Sequence, residues 1–165
     1  MAVSDDQKSD IMKEHLPYEV WMLNVSYESL CRGPDQLTKN VLIASFCIYA
    51  RNVIDFFAEK SLKPKTYAGA RHYIPKWEAF EGEKVKAKPF YGMINQQTAH
   101  LSYARKRDVG KFGGGDEFSE AKKFIDREVI RFVDALPKQW REMWNSFAVS
   151  HGLYVSKGSS EEKKK

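Results

Sequence analysis

The chain has 165 residues, of which 42% are hydrophobic and 30% are charged, with a net charge of +5. This length suits one domain with a single core, and the apolar content, with four Trp and ten Phe, excludes a disordered chain. The N-terminus is polar and acidic, which excludes a signal peptide, and no apolar run approaches the roughly 20 residues of a membrane-spanning helix. We therefore expect a cytoplasmic protein with no membrane contact.

The apolar pattern is helical throughout, and no strand alternation competes with it. A first helix is predicted over residues 16–31 and a second over residues 36–60. Between them, Gly33 provides a helix stop and Asp35 an N-cap. So short a connection makes the two helices antiparallel neighbours.

The second predicted helix is apolar on nearly all sides, which is typical of a helix at the centre of a bundle or covered by a partner chain. One of its stripes continues into two charged residues, Arg51 and Asp55. A guanidinium and a carboxylate are costly to bury unless they are paired and hydrogen-bonded. We therefore expect either a structural ion pair or a functional site there. The apolar members of this stripe are Leu37, Val41, Ala44 and Ile48.

A long irregular connection is predicted over residues 61–89, followed by a short third helix over residues 90–106. A fourth helix begins at Asp116 or Ser119, and Pro137 kinks or splits it. The predicted fold class is all-α, a four-helix bundle.

The predicted domain organisation is simple. Residues 1–13 form a flexible N-terminus, residues 14–152 form the single helical domain, and residues 153–165 form a disordered tail.

Two polar groups are candidates for chemistry. On the second helix, Arg51 and Asp55 can pair at i, i+4, and Arg51, next to Asn52, could hold a phosphate or another anion while Asp55 orients it. The alternative is a structural ion pair near the end of the bundle.

On the third helix, His100 and Tyr103 share a face at i, i+3, and Asn95 adds a hydrogen-bonding group. Uncharged polar residues are concentrated there, although a helix that only packs would carry Glu and Lys outside. The alternative is that His100 is a packing residue.

A third candidate is electrostatic, because residues 60–88 hold eight Lys or Arg against three Glu, a net charge of +5. Basic residues interleaved with aromatic ones can bind single-stranded nucleic acid through phosphate contacts and base stacking. The alternative is a solvated loop whose Tyr and Trp side chains pack on the bundle. The basic residues singled out, including a second cluster after the third helix, are Lys63, Lys65, Arg71, Arg105, Lys106 and Arg107.

The two cysteines, Cys31 and Cys47, lie in helical segments without metal-ligand spacing, so we expect reduced thiols. The four His residues are scattered, and neither a phosphate loop nor a nucleophile elbow is present. We expect no metal and no cofactor.

Three segments, IASFCIYARNVIDFF, TYAGARHYIPKW and INQQTAHLSYAR, resemble a family of small, functionally uncharacterised bacterial all-helical proteins. In that family an ARN-x-x-DFF helix is followed by a Trp-bearing linker and an IN…AHL…R helix. The resemblance covers residues 37–105.

More distantly, Arg51-Asn52 on the second half of a bundle helix resembles the HEPN superfamily of helical ribonucleases and nucleotide-binding proteins. That resemblance implies metal-independent RNA cleavage in a dimer cleft. The histidine that follows the Arg in HEPN proteins is missing here, where Val53–Phe57 stand.

Two hypotheses follow. In the first, the protein acts on RNA or a nucleotide, with His100 as general acid or base, Arg51 stabilising phosphorane charge, and Asn52, Asp55 and Tyr103 orienting them. In the second, it is a non-catalytic binding or assembly module that forms a homodimer, and the same residues are a structural hydrogen-bond network.

Overall fold

The computed structural model describes residues 4–58, 68–78, 90–92, 94 and 116–156. Within these ranges the protein is all-helical, with no strand. A π-helical turn at Ile11–His15 joins α1 to α2, and a 3₁₀ turn lies at Ala70–His72. The α-helices are α1 (Asp5–Asp10), α2 (Leu16–Cys31), α3 (Gln36–Ala58), α4 (Asp116–Ala135) and α5 (Lys138–His151).

The N-terminal segment differs from the flexible arm that we expect from its polar composition. Ser4 and Gln7 form a reciprocal capping box that starts α1, with the Gln7 backbone N–H 3.2 Å from the Ser4 hydroxyl. The chain continues through the π-helical turn into α2, and Met12 is fully buried. The Tyr73 hydroxyl donates to the Lys8 carbonyl at 3.0 Å. A local cap and one buried side chain therefore order this segment.

Helices α2 and α3 form the antiparallel hairpin that the sequence predicts. Gly33 follows α2 with a left-handed φ of 70°, which glycine adopts without strain. The Asp35 carboxylate accepts the backbone N–H of Leu37 at 3.0 Å and of Thr38 at 3.1 Å, which confirms it as the N-cap of α3. The rings of Tyr27 and Phe46 lie 6.0 Å apart between the two helices.

Helix α3 presents one side to the core and the opposite side to solvent. The stripe of Leu37, Val41, Ala44 and Ile48, interpreted from the sequence as a buried face, is exposed. Of the two alternatives for this helix, a position at the centre of the bundle is therefore wrong, while cover by a partner chain stays a prediction. The charges of Arg51 and Asp55 do not enter the core. The residues of α3 that are buried are Ile43, Phe46, Cys47, Ala50, Val53, Ile54, Phe56 and Phe57.

Residues 68–78 lie within the stretch predicted to be an irregular connection, and they are anchored on the core. Tyr73 and Trp77 are each only 4% exposed. The Trp77 ring lies 5.4 Å from Phe132 of α4, and its indole N–H donates to the Phe57 carbonyl at 3.3 Å. The alternative in which these aromatic side chains pack on the bundle is confirmed for both residues.

The last predicted helix is split, as the position of Pro137 indicates. Helix α4 ends at Ala135 and α5 begins at Lys138. Gly152, with a φ of 66°, ends α5. Apolar residues at helical spacing on α4, and Leu136 just after its end, are buried, and those on α4 are Phe118, Ala121, Ile125, Val129 and Phe132.

Residues 153–156, predicted to belong to a disordered tail, fold back along α5. The Trp144 indole N–H donates to the Tyr154 carbonyl at 2.8 Å, and the Asn145 amide donates to the Ser156 carbonyl at 3.2 Å. Leu153 and Ser156 are buried. The rest of the predicted tail, residues 157–165, lies outside the described residues.

The predicted third helix is described only at its start. Residues 90–92 and 94 are helical, and Phe90 and Ile94 are buried. Its remainder, residues 95–106, lies outside the described residues, as do residues 61–67 and 79–89 of the predicted connection.

Helix α3 is the one helix in the described part of the chain that is long and apolar enough to cross a membrane, judged by length and composition alone. This is a weak indication, because a core helix passes the same test and α3 has a buried face.

Candidate functional site

The outer stripe, defined here as Leu37, Val41, Ala44 and Ile48, is an apolar row on the solvent side of α3. Its members follow one another at intervals of four and three residues, so their side chains lie on one face. The exposed fractions of its three large side chains are 75% for Leu37, 58% for Val41 and 48% for Ile48. A contiguous row of this kind differs from the scattered apolar residues of an ordinary surface.

Helix α2 widens this apolar surface. The Tyr18 ring packs edge-on against Tyr49 of α3 at 6.3 Å, and Val25 lies two turns further along the same side of α2. Tyr18 and Val25 are 41% and 37% exposed. Among the residues described, eight large hydrophobic side chains are exposed, and five of these lie on α2 and α3. The exposed apolar surface is thus concentrated on one hairpin.

Arg51 and Asp55 lie at the C-terminal end of the outer stripe. The Arg51 Nε lies 3.5 Å from the Asp55 carboxylate, and the two side chains are 42% and 51% exposed. The Tyr91 hydroxyl donates to the same carboxylate at 3.4 Å. The predicted i, i+4 pair is therefore present, but as a solvent-exposed pair of the kind that contributes about 0–1 kcal/mol.

Asn52, predicted to act with Arg51, contacts α2 instead. Its amide donates to the Glu19 carboxylate at 2.9 Å. Partial burial raises the pKa of Glu19, and the Asn52 hydrogen bond and the nearby His15 oppose that rise. Asn52 thus stabilises a half-buried carboxylate across the hairpin.

Tyr49 and Tyr18 are neighbours across the hairpin. Desolvation first, and then a hydrogen bond with Tyr18, raises the pKa of Tyr49. Together with Glu19 and Asn52, the two tyrosines form a polar cluster along the α2–α3 seam, beside the outer stripe. The raised pKa of Tyr49 keeps its hydroxyl proton in place, which suits hydrogen-bond donation rather than nucleophilic attack.

Most of the other predicted site residues cannot be placed relative to this surface. Arg71 is described: its Nε donates to the Trp77 carbonyl at 3.1 Å, which holds the 68–78 segment together. The others lie outside the described residues: Lys63, Lys65, Asn95, His100, Tyr103, Arg105, Lys106 and Arg107.

The described part of the basic connection offers no aromatic platform for bases. Base stacking needs an accessible ring face. Tyr73 and Trp77 are buried, and the Arg131 guanidinium carbon lies 4.1 Å from the centre of the Trp77 ring. These rings therefore serve the core.

The described side chains do not suggest a metal centre. In the ranges given above, no three His, Cys, Asp or Glu side chains cluster closely enough to hold a metal ion. Cys31 is exposed and Cys47 is buried, and both are free thiols.

Four residues of this surface have no place in the sequence-based prediction: Tyr18, Glu19, Tyr49 and Tyr91. A signal for the first three exists, because a short connection brings residues at equal distances before and after it to the same level. Applied to Tyr49, which lies 13 residues after Gln36 at the start of α3, this rule gives Tyr18, which lies 13 residues before Cys31 at the end of α2, and Glu19 is its neighbour. Tyr91 has no such signal, since a long connection separates it from α3.

No protein-family model, curated protein or solved structure was found to match this chain.

Proposed function

We propose that this protein is a helical assembly module that forms a homodimer through the outer stripe of α3. The observation that carries the proposal is the apolar row itself, which lies in the centre of the exposed side of the longest helix among the described residues. Burying a Leu, Ile or Val side chain contributes about 1.5–3 kcal/mol, so a row of three in each of two copies is a substantial driving force.

A second copy of the chain fits this surface because the outer stripe is flanked by both charge signs. Arg51 and Asp55 lie at one end, and Arg32 and Asp35 lie at the other, all outside the core. A surface with both signs on one helix can complement itself, as an isologous interface requires. The mixed charges also make it a poor match for a uniformly anionic partner.

The proposal also includes a specific arrangement of the helices. A four-helix bundle resembling HEPN proteins would comprise α2, α3, a third helix beginning at Phe90, and the split pair α4 and α5. The α2–α3 hairpin supports it, and the resemblance implies a dimer in which the Arg-bearing helix lies near the interface.

The experiment that tests self-association is the solution mass measured by light scattering over a range of concentrations. We expect twice the 19.1 kDa of the chain. Val41→Glu introduces a charge into the outer stripe and should give the monomer mass with unchanged helical circular dichroism.

Val149→Glu is the matched control, because Val149 is a 71% exposed helical valine on α5, away from the stripe. It should leave the dimer intact. A wild-type chain that stays monomeric at high micromolar concentration contradicts the proposal, and so does a monomer that floats with lipid vesicles, which would assign the stripe to a membrane surface.

The RNA-directed hypothesis stays a prediction. Its proposed acid or base, His100, lies outside the described residues. Of the described groups that it needs, Arg51 pairs with Asp55 and Asn52 with Glu19.

A further inference from the structure

We propose that the two copies pair α3 against α3 in an antiparallel orientation, with the two-fold axis beside Ala44 and with Arg51 of each copy facing Asp35 of the other. This inference rests on the self-association proposed above and adds the register of the interface, which the mass measurement does not determine.

The outer stripe and Arg51, which continues the same row three residues after Ile48, together have their centre at Ala44. Leu37 precedes Ala44 by seven residues and Arg51 follows it by seven, which is about 10.5 Å in either direction at 1.5 Å per residue. Val41 and Ile48 lie on either side of Ala44 at nearly equal distances. Ala44 has the smallest side chain of the row, so two helices that cross there can approach to the short end of the usual range of about 8–10 Å.

The charges at the two ends select the antiparallel orientation. With Ala44 at the axis, Arg51 of one copy lies level with Leu37 of the other, within reach of Asp35 two residues away. Asp55 lies level with Gly33 and therefore next to Arg32. Both ends then bring opposite charges together.

In a parallel arrangement each charged residue would face the same residue of the second copy. Arg51 would face a second Arg51, and Asp55 a second Asp55, which is a like-charge arrangement that disfavours this partner geometry. Asp35 stays ionised for the antiparallel pairing, because hydrogen bonds from Thr38 lower the pKa of its carboxyl.

The register is tested by disulfide cross-linking of single-cysteine variants under a mild oxidant. The background carries Cys31→Ser, since Cys31 is exposed. Cys47 stays in place, because burial raises the pKa of its thiol to about 12 and keeps it unreactive. Ala44→Cys should form a covalent dimer, since two thiols beside a two-fold axis meet the distance requirement of a disulfide.

Two further variants distinguish the orientations. Leu37→Cys and Arg51→Cys should each fail to cross-link alone but should cross-link with each other when mixed, as shown by tags of different mass. If each cross-links alone and the mixture adds nothing, the pairing is parallel and the proposed register is overturned while self-association stands. If no dimer forms by mass, the proposed function itself fails first.

The charge pairing has its own test in the dissociation constant of the dimer. Arg51→Glu should weaken the dimer roughly tenfold at low salt and less at high salt, because the introduced carboxylate would face Asp35 of the second copy. The control Arg127→Glu reverses an exposed charge on α4 and should leave the constant unchanged. An equal effect of the two substitutions would overturn the pairing with Asp35.

Discussion

Arg51 and Asp55 form a solvent-exposed ion pair at the C-terminal end of the outer stripe of α3. The i, i+4 spacing predicts the contact between Arg51 and Asp55, and the structure contains it. Their exposure could not be predicted, because the helix is apolar on both sides and its sequence does not distinguish the core side from the outer side. An exposed pair contributes little to stability, so we assign its role to the proposed dimer interface.

Glu19 gives a prediction at the same scale. Its pKa is raised by partial burial, so the folded chain binds its proton more readily than the unfolded chain. Stability is therefore lost as the pH rises from the ordinary value of 4.5 through the raised pKa. Glu19→Gln keeps an acceptor for Asn52 and avoids this loss.

We expect Glu19→Gln to be more stable than wild type at pH 7 by a few tenths of a kcal/mol, up to about 1, since the group is partly solvated. The difference should vanish below the ordinary value of 4.5. Thermal melts between pH 4 and 8 measure it, with Glu28→Gln as the control on the same helix. The prediction is refuted if the stability of Glu19→Gln minus that of wild type is smaller at pH 7 than at pH 4.

At the scale of elements, the short connections were predictable and the long one was not. Gly33 and Asp35 determine the α2–α3 hairpin, and Pro137 separates α4 from α5, through local backbone chemistry. The anchoring of residues 68–78 depends on contacts with α3 and α4, which lie far away in sequence. Composition alone shows only that this segment is basic and aromatic.

Trp77 is the side chain on which that anchoring depends. It contacts Phe57 and Phe132, and its ring carries the Arg131 guanidinium. Trp77→Ala should lower the free energy of unfolding by about 3–5 kcal/mol, as large-to-small changes at buried aromatic sites do.

Urea unfolding followed by circular dichroism at one fixed protein concentration measures this loss. Lys76→Ala, at the exposed neighbouring position, should stay within about 0.5 kcal/mol of wild type. A loss below about 1 kcal/mol for Trp77→Ala would show that the segment is not held by this ring.

At the scale of the whole molecule, the all-helical class can be predicted because the apolar residues of the chain repeat at the helical period. The buried side of α4 can be predicted for the same reason. The candidate site was predicted only in part. Arg51, Asn52 and Asp55 lie at its edge, whereas the exposure of the outer stripe depends on which side of α3 the other helices cover.

The net charge of +5 is compatible with binding to an anionic partner such as RNA. Carboxylates of Glu19 and Asp55 lie beside Asn52 and Arg51, and they oppose an incoming phosphate. We therefore expect no Arg51-dependent cleavage when the protein is incubated with mixed RNA in EDTA. Cleavage that disappears in both Arg51→Ala and His100→Ala would contradict this and favour the RNA-directed hypothesis.

A helix that is apolar on both sides can pack on the core in two orientations related by half a turn about its own axis. In the alternative orientation the outer stripe would be buried, and Arg51, Asn52 and Asp55 would enter the core, where the desolvation of the two charges costs several kcal/mol each and their mutual pairing offsets that cost only in part. The polar residues near the end of α3 thus mainly raise the free energy of this competing, misfolded orientation. They favour the orientation in which the other side of the helix faces outward, where we propose that it binds a second copy.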